Sequence, residues 1–319
     1  MGSSSSKEFE HIIFKPITPN KIKLNNNREC PLMGLGTILI NDEKDKEVVI
    51  QSIKDGVRLI DTAPPNEIVV GNAINEAIEK KIVKREDLFI VTKLELEEKG
   101  DPEKALRKSL DRLRLKYVDL YLDHWPSFIN FKKSNPEKEK LIPVKETWEK
   151  MENLVNKGLT KSIGVSNYNV ENLFNILSIC KIKPCVNEVE FHPYLYQKGL
   201  KDFCDKENIK LFSYNPLVKG SYFEKDDIYN KRYNLFKESI VVNLSNKYPN
   251  VTKAQIILNW HMSLGVIPIT GTLNPERMKE NLKAQNFRIN KNTYELIGNE
   301  ENQHRFYNGS HIFGVNIFA

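Results

Sequence analysis

Short apolar segments alternate along the chain with longer stretches in which apolar residues recur every three to four positions. Eight short segments are evident, at residues 32–40, 57–63, 88–94, 118–126, 162–168, 184–193, 210–217 and 265–272. Stretches between them, such as "DPEKALRKSLDRLRLK", have the period of amphipathic helices. Apolar runs that are each followed by a helix are typical of buried parallel strands. The pattern therefore predicts an α/β fold, a closed (β/α)8 TIM barrel.

A doubly wound open sheet is the alternative arrangement of the same elements. Such a sheet usually carries a GxGxxG turn after its first strand, and this chain has "GLGT" there. Residues 20–32, "NKIKLNNNRECPL", predict a β-hairpin that plugs the N-terminal end of the barrel. Polar residues 127–143 and 218–234 predict long loops on the C-terminal face, where barrel enzymes place their sites. We expect these loops and the C-terminal tail, "RFYNGSHIFGVNIFA", to form the walls of a pocket. We expect residues 1–20 to be an extension without fixed structure and residues 21–319 to form a single domain.

Composition bears on location and partners. The 319 residues carry a net charge of +6, but Lys and Glu are interleaved along the predicted helices, which indicates solvated faces rather than a nucleic-acid surface. No apolar run approaches the ~18 residues of a membrane-spanning helix, and no secretory signal is visible. The absence of CxxC spacing indicates reduced thiols at the four cysteines, Cys30, Cys180, Cys185 and Cys204. We expect a cytoplasmic protein.

The first residues, "MGSSSSK", fit the M-G-x-x-x-[ST] pattern for N-myristoylation, with Gly2 as the acceptor and Ser6 at the required position. A polar start without structure, or a remnant of recombinant expression, explains the same letters. One acyl chain gives only weak, reversible membrane binding. The pattern therefore suggests weak membrane association through Gly2 and leaves the other two explanations open.

Three residues suited to acid–base chemistry fall at the C-terminal ends of predicted strands: Asp61, Lys93 and His124. A barrel brings such residues to one mouth. A Lys inside the apolar run "FIVTKL" is costly to bury unless it is paired, and Asp61 is the evident partner. His124, in "DHWP", is open to a second interpretation as a core imidazole with satisfied hydrogen bonds.

Nine segments resemble, in order, those of the aldo-keto reductase superfamily: "GLGT", "RLIDTA", "NEIVVG", "KREDLFIVTKL", "DLYLDHWP", "GVSNY", "VNEVEFHPYL", "SYNPL" and "RMKEN". The resemblance extends over about residues 21–290. It implies NAD(P)H-dependent reduction of a carbonyl compound without a metal. In that family a Tyr, made more acidic by a Lys–Asp pair, protonates the oxygen, and a His orients the substrate. Asp61, Lys93 and His124 match the Asp, Lys and His.

The resemblance also implies a cofactor site and a substrate pocket. Tyr214 matches the aromatic residue that stacks on nicotinamide. The implied cofactor-binding residues are Thr37, Ser166, Asn167, Glu188, Tyr214, Leu217, Thr270, Arg277, Glu280 and Asn281. Ile38, at a position where a pocket Trp is common, and Trp125 are the implied pocket residues. The expected cofactor is NADPH, with NADH as the alternative, and the expected partner is a small carbonyl compound.

The chain departs from the family pattern at three places. The family reads D-T-A-x-x-Y-x-N-E, whereas "DTAPPNE" (61–67) is two residues shorter and lacks the Tyr. Glu188 stands where the family has a Gln, and an ionised Glu cannot donate to the carboxamide oxygen. Ile269 stands where the better-known branch has a Lys for the 2′-phosphate of NADP. Arg277 remains, and an Arg can fork onto a phosphate.

Two functions of different class follow. The first is a reductase with a slow, rearranged acid step, in which His124 or a water held by Lys93 and His124 supplies the proton. The second is a catalytically silent NADP-binding relative that acts as a sensor, scaffold or membrane-tethered adaptor. The lost Tyr and the Glu at 188 favour the second. The retained Asp61 and Lys93 favour the first, because a silent protein has less reason to keep a buried charge pair. We favour the enzyme.

Overall fold

The computed structural model describes residues 11–126, 142–218, 233–298, 303–313 and 316–318. Its strands are β1 (Ile12–Ile13), β2 (Lys21–Lys23), β3 (Glu29–Pro31), β4 (Gly34–Gly36), β5 (Leu59–Asp61), β6 (Phe89–Leu94), β7 (Leu120–Asp123), β8 (Ile163–Ser166), β9 (Val186–Glu190), β10 (Lys210–Tyr214), β11 (Ile267–Thr270) and β12 (Arg288–Ile289). Its helices are α1 (Lys46–Lys54), α2 (Glu67–Glu79), α3 (Pro102–Leu113), α4 (Val144–Asn156), α5 (Val170–Leu177), α6 (Lys198–Lys206), α7 (Ser239–Lys247), α8 (Lys253–Ser263), α9 (Pro275–Leu282), α10 (Lys291–Ile297) and α11 (Ser310–Phe313).

Strands β4 to β11 close a parallel barrel in sequence order, with β11 pairing back to β4. Each of the eight predicted apolar runs contains one of these strands. The strands are shorter than the runs, because apolar residues beyond the strand ends are buried in the loops, as Ile40 is after β4. The predicted (β/α)8 barrel is confirmed, and the open sheet is excluded.

The hairpin at the start of the barrel domain closes its N-terminal end. Strands β2 and β3 pair antiparallel, with Ile22 opposite Cys30. Leu24 and Cys30 pack in one cluster with barrel side chains that include Phe89 and Leu120. The predicted plug is therefore present, and the other end of the barrel is left for a site.

The predicted N-terminal extension is partly built into the fold. Strand β1 pairs antiparallel with β12, placing Ile12 opposite Ile289. Ile12 is buried in the main core cluster, so this segment is held by apolar burial as well as by strand pairing. The short run "IIF" (12–14) gave no periodic signal of this contact. Residues 1–10, including Gly2, lie outside the described residues.

The motif "NEIVVG" positions helix α2 rather than a ligand. Glu67 is fully buried, accepting a hydrogen bond from Thr92 Oγ1 at 2.6 Å and pairing with Arg112 Nε at 2.5 Å. A Cβ on Gly71 would lie 2.7 Å from the backbone oxygen of Arg112, so only glycine lets α2 approach the end of α3 this closely. These contacts fix α2 next to the loop that follows Asp61.

Helix α3 lies within the predicted helical stretch "DPEKALRKSLDRLRLK". The Asp101 side chain caps its N-terminus by accepting from Lys104 N at 3.0 Å, and Pro102 occupies the first turn. The helix ends at Arg114, which has a left-handed φ of 56°. Of the helices that the structure describes, none is both long and apolar enough to cross a membrane. The predicted loops at 127–143 and 218–234 lie almost entirely outside the described residues.

Candidate active site

A cavity of about 410 Å³ opens at the C-terminal ends of the barrel strands. Most of the residues implied by the resemblance line it, namely Thr37, Ile38, Asp61, Lys93, His124, Trp125, Ser166, Asn167, Glu188, Tyr214, Leu217 and Thr270. Because each belongs to the end of a strand or the loop after it, the barrel itself brings them together. Arg277, Glu280 and Asn281 do not line the cavity and lie on helix α9 beside it.

A buried ion pair forms the floor of the cavity. Lys93 Nζ lies 2.5 Å from Asp61 Oδ1 and donates to the backbone oxygen of Thr62 at 3.2 Å. Burial opposes the charge of Lys93, but Asp61, ahead of Glu188, raises the pKa of the ammonium above its ordinary value. The pairing predicted between Asp61 and Lys93 is therefore found, and it keeps a charged Lys in an apolar strand.

Glu188 on β9 faces the other side of Lys93. Its Oε1 lies 3.4 Å from Lys93 Nζ, and its side chain is 4% exposed. Its Oε2 is buried, and the carboxyl group lies within hydrogen-bonding reach of Asp61 as well as of Lys93. Burial, followed by the charge of Asp61, raises the pKa of Glu188 to about 8. Glu188 therefore keeps a proton at neutral pH. A protonated Glu188 can donate to a carboxamide oxygen, whereas the ionised form, expected from the sequence, cannot.

The His124 ring is oriented by Glu95, which does not itself line the cavity. Its Nδ1 lies 3.0 Å from Glu95 Oε1, and its side chain is 24% exposed. Its backbone oxygen accepts from Asn167 Nδ2 at 3.0 Å, which ties the β7 loop to the β8 loop. The interpretation of His124 as a core imidazole is therefore wrong, since the ring lines the cavity.

Polar side chains at the ends of β8 and β10 form one hydrogen-bonded chain. Tyr214 Oη donates to Asn167 Oδ1 at 2.7 Å, and Asn167 Nδ2 donates to Ser166 Oγ at 3.1 Å. Ser166 Oγ in turn donates to the backbone oxygen of Glu188 at 2.8 Å. The chain fixes one aromatic ring and two polar side chains at the cavity wall, as a site for a flat ring with an amide substituent requires.

The shortened loop after β5 leaves the cavity without a Tyr at that place. Asp61, Thr62 and Ala63 line the cavity directly. Asn66 closes the loop by donating through its N–H to Ala63 O at 2.9 Å and through its side chain to Ile40 O at 2.8 Å. The described cavity wall does contain Tyr214 and, from the C-terminal tail, Tyr307. Neither belongs to this loop.

Helix α9 begins just beyond the cavity edge formed by Thr270 and Gly271. Arg277 is exposed in its first turn. Glu280 Oε1 accepts from Thr252 Oγ1 at 2.8 Å, and Asn281 is buried. The structure therefore leaves Arg277 accessible to a ligand and gives Glu280 a contact within the fold.

The C-terminal tail supplies part of the cavity wall through Tyr307 and Ile312. Phe313 packs edge-on against Trp125, with ring centroids 5.4 Å apart. The tail is held by Glu190 on β9, whose carboxylate accepts from the backbone N–H of Phe306 at 3.1 Å and of Tyr307 at 2.9 Å. Burial opposes ionisation, but hydrogen bonding from His192 and these amides lowers the pKa of Glu190 below its ordinary value.

The sequence predicted that the tail would contribute to the pocket, but not which residues. It also missed Glu95, the partner of His124, and Glu190, the anchor of the tail. A signal for Glu190 exists in "VNEVE", where two acidic residues at alternate positions of an apolar strand point to the same side. Glu95 gives no such signal, because it stands among other acidic residues in "ELEEK".

A closed barrel with a buried Lys–Asp pair beneath a cavity at its C-terminal mouth has the layout of a barrel enzyme. The aldo/keto reductase family model matches residues 32–299. Aldose reductase C of Dictyostelium discoideum is 36% identical over 297 residues, which is 87% of this chain and 88% of that protein. The chain belongs to the aldo-keto reductase family.

Solved structures agree with this assignment. An aldo-keto reductase complexed with NADPH is 31% identical, with a TM-score of 0.79 and coverage of 91% of this chain and 90% of the other. A Bombyx mori aldo-keto reductase in complex with NADP is 30% identical, with a TM-score of 0.81 and coverage of 91% and 95%. Both likenesses extend over the whole barrel.

Proposed function

We propose that this protein is an NADPH-dependent reductase that converts a small aldehyde or ketone to an alcohol. The observation that carries the proposal is the buried Asp61–Lys93 pair at 2.5 Å, which lies beneath a cavity large enough for a ring and a small substrate. Keeping a charged Lys in the barrel interior requires a partner and confers no packing advantage. Its position at the mouth is explained by charge that develops on a substrate during reaction.

The residues present fit a nicotinamide cofactor. Ser166 Oγ and Asn167 Oδ1 each keep a lone pair that can accept from a carboxamide NH₂ group, and Tyr214 offers an aromatic ring beside them. The N-terminus of α9 and the exposed Arg277 suit a phosphate. NADPH, when bound, supplies the hydride. The two solved relatives that hold NADPH and NADP support this choice over NADH.

The chain's own residues account for orientation and charge stabilisation. His124, held by Glu95, lines the cavity where it can donate to a carbonyl oxygen. Lys93 stabilises negative charge from below. Because the loop after β5 has no Tyr, we propose that turnover is slow compared with a Tyr-bearing relative, since a positioned acid contributes about 10²–10⁴-fold.

The same loop supports a second candidate, a catalytically silent protein that binds NADPH as a sensor, scaffold or adaptor. We propose a cytoplasmic location for either candidate. Reversible membrane association through Gly2 remains a separate proposal that rests on the sequence pattern alone.

Nicotinamide fluorescence titration followed by a panel of aldehydes and ketones tests the proposal. We expect NADPH binding and NADPH-dependent loss of carbonyl. Lys93→Met should abolish turnover while NADPH binding persists, because the charge beneath the substrate is removed. Lys201→Met is the matched control, since Lys201 is a buried lysine that pairs with Asp205 on helix α6 and does not line the cavity.

The possible outcomes separate the two candidate functions. Turnover that survives Lys93→Met would exclude this site as the active site. Bound NADPH with no turnover across the panel would favour the silent relative. Failure to bind NADPH would contradict both.

A further inference from the structure

The charges around Lys93 do not cancel if both of the carboxyl groups next to it are ionised. Two carboxyl groups face it, from Asp61 on β5 at 2.5 Å and from Glu188 on β9 at 3.4 Å. One ammonium neutralises one carboxylate, and a second carboxylate in the same low-dielectric space is strongly disfavoured. Asp61 has the closer contact, so it keeps the charge. Glu188 holds the proton, in agreement with the rise of its pKa to about 8.

Glu188 is also placed to use that proton. It lines the cavity, and its carboxyl group lies within hydrogen-bonding reach of both Asp61 and Lys93. Its backbone is fixed in the barrel, because its carbonyl oxygen accepts from Asn167 N at 2.9 Å and from Ser166 Oγ at 2.8 Å. A proton on this carboxyl group can be donated to a ligand in the cavity instead of to Asp61.

We propose that Glu188 is the proton donor of this reductase, in place of the Tyr that the loop after β5 lacks. The proposal rests on the proposed function. In the family pattern Lys93 would have Asp61 on one side and the phenol on the other. In this chain Glu188 is the acid on the second side of Lys93, so the Lys93 ammonium stabilises the conjugate base of a carboxyl group instead of a phenol, whereas the charge of Asp61 opposes that ionisation.

The step balances. As hydride reaches the carbonyl carbon, the C=O π pair moves to the oxygen, which takes the proton from the Glu188 carboxyl group. The O–H bond of the carboxyl group breaks, and its electron pair remains as a carboxylate beside Lys93 Nζ. The carbonyl compound is reduced to the alcohol and NADPH is oxidised to NADP⁺. Solvent then returns a proton to Glu188.

His124 is a weaker candidate for this role. Its Nδ1 lies beside Glu95, and its side chain is 24% exposed against 4% for Glu188. The titratable groups that act on Glu188 come from three strands, namely Asp61 on β5, Lys93 on β6 and Tyr214 on β10. Among these Lys93 is the cation that stabilises a carboxylate left by proton transfer. His124 is then an orienting residue.

The experiment compares wild type with Glu188→Gln by three measurements. Infrared spectroscopy of cofactor-free protein with labelled glutamate reports carboxylic-acid groups, fluorescence reports the NADPH Kd, and single-turnover kinetics report the reduction. We expect the acid band at neutral pH to be lost in Glu188→Gln. The NADPH Kd should remain within about 3-fold, and the reduction rate should fall about 10²–10⁴-fold.

Glu152→Gln is the matched control, because Glu152 is a buried carboxylate that accepts from the N–H groups of Lys181 and Ile182, outside the cavity. It should keep the acid band and the rate. If Glu188→Gln does not fold, wild type suffices, since the acid band and the rate should then decline together with one midpoint as pH rises.

Two results would overturn the donor role and leave the reductase standing: undiminished turnover in Glu188→Gln with NADPH bound, or no acid band assignable to Glu188 at neutral pH. Separate midpoints for the wild-type band and rate would also overturn it. A wild type that binds no NADPH, or turns over no carbonyl compound, would instead remove the proposed function, and the donor role with it.

Discussion

At the residue scale, Glu188 links the chemistry of the site to the stability of the protein. Its pKa rises from an ordinary value of 4.5 to about 8, first by burial and then by Asp61. Across that window the folded protein holds a proton that the unfolded chain releases. Folding therefore binds protons, and the stability that Glu188 contributes is full below pH 4.5 and is lost as pH rises towards 8.

This linkage predicts a measurable slope. The Glu188 contribution to the free energy of unfolding should fall by about 1.4 kcal/mol per pH unit between pH 5 and 8. Glu188→Gln cannot titrate, so its unfolding free energy should fall less steeply over the same range. Urea unfolding of both proteins at several pH values measures the difference, which cancels the contribution of other groups.

The Glu152→Gln variant serves again as the control and should keep the wild-type slope. Parallel curves for wild type and Glu188→Gln would mean that Glu188 is ionised in the folded protein. That result would also weaken its assignment as a proton donor.

The residue scale also shows what the sequence could foresee. A Lys in an apolar strand demands a partner, and Asp61 was identified from that demand alone. The proton on Glu188 was not foreseeable, because it depends on the distance from β9 to Lys93 across the barrel. The contact between Glu95 and His124 was not predicted for the same reason, because the two residues lie in different loops that sequence spacing does not relate.

At the element scale, strand β9 has two functions on one side. Residues at alternate positions of a strand point the same way, so Glu188 and Glu190 both face the barrel interior. Glu188 contacts Lys93. Glu190, two residues closer to the C-terminal end of the strand, accepts hydrogen bonds from the backbone N–H groups of Phe306 and Tyr307. One strand therefore supplies a carboxyl group to the floor of the cavity and an anchor for its wall.

Glu190→Ala should release the C-terminal tail. Two tail N–H groups would lose their acceptor, at about 1–3 kcal/mol each where they are buried. Because Tyr307 and Ile312 line the cavity, the substrate KM should rise more than kcat falls. Hydrogen exchange at Phe306 and Tyr307 and limited proteolysis of the tail measure the release.

Glu190→Gln is the companion variant, since an amide oxygen at the position of Oε2 can still accept from both N–H groups, and its effect should be smaller. If the tail amides stay protected in Glu190→Ala, the tail is held by its apolar contacts, such as Phe313 on Trp125, and not by Glu190.

Elements differed in how far the sequence could predict them. The barrel strands were identifiable because burial on both faces requires a continuous apolar run. Strand β1 was not, because two residues are too few to show a period, and Ile12 pairs with Ile289, which lies 277 positions away. The C-terminal tail was assigned to the pocket wall, but the residues that line the cavity were not identified, because irregular segments carry no periodicity.

At the scale of the whole molecule, the barrel is closed at one end and open at the other. The hairpin of β2 and β3 fills the N-terminal end with apolar side chains, while Lys93, Asp61 and Glu188 occupy the C-terminal end. The apolar end stabilises the fold, whereas the charged end buries two carboxyl groups beside one ammonium group. A ligand that satisfies the charged end should therefore stabilise the entire domain.

NADPH should accordingly raise the melting temperature. A ligand that binds only the folded state at 100 times its Kd adds about 2.7 kcal/mol. For a domain of this size that corresponds to about 4 °C. At the same concentration NADH should give a smaller shift, because it lacks the 2′-phosphate that we place near Arg277. Differential scanning fluorimetry of wild type with each cofactor measures both shifts.

Arg277→Ala tests the source of that difference. Arg277 is exposed and lies outside the cavity, so its removal should leave the cofactor-free melting temperature unchanged. The shift with NADPH should fall to that with NADH, because the remaining contacts are common to both cofactors. Equal losses for both cofactors would remove Arg277 from the phosphate site. No shift with NADPH, at a concentration that saturates the fluorescence titration, would mean that binding does not favour the folded barrel. In that case neither the cofactor nor a compound that binds with it would form a stabilising hydrogen bond with the Glu188 carboxyl group.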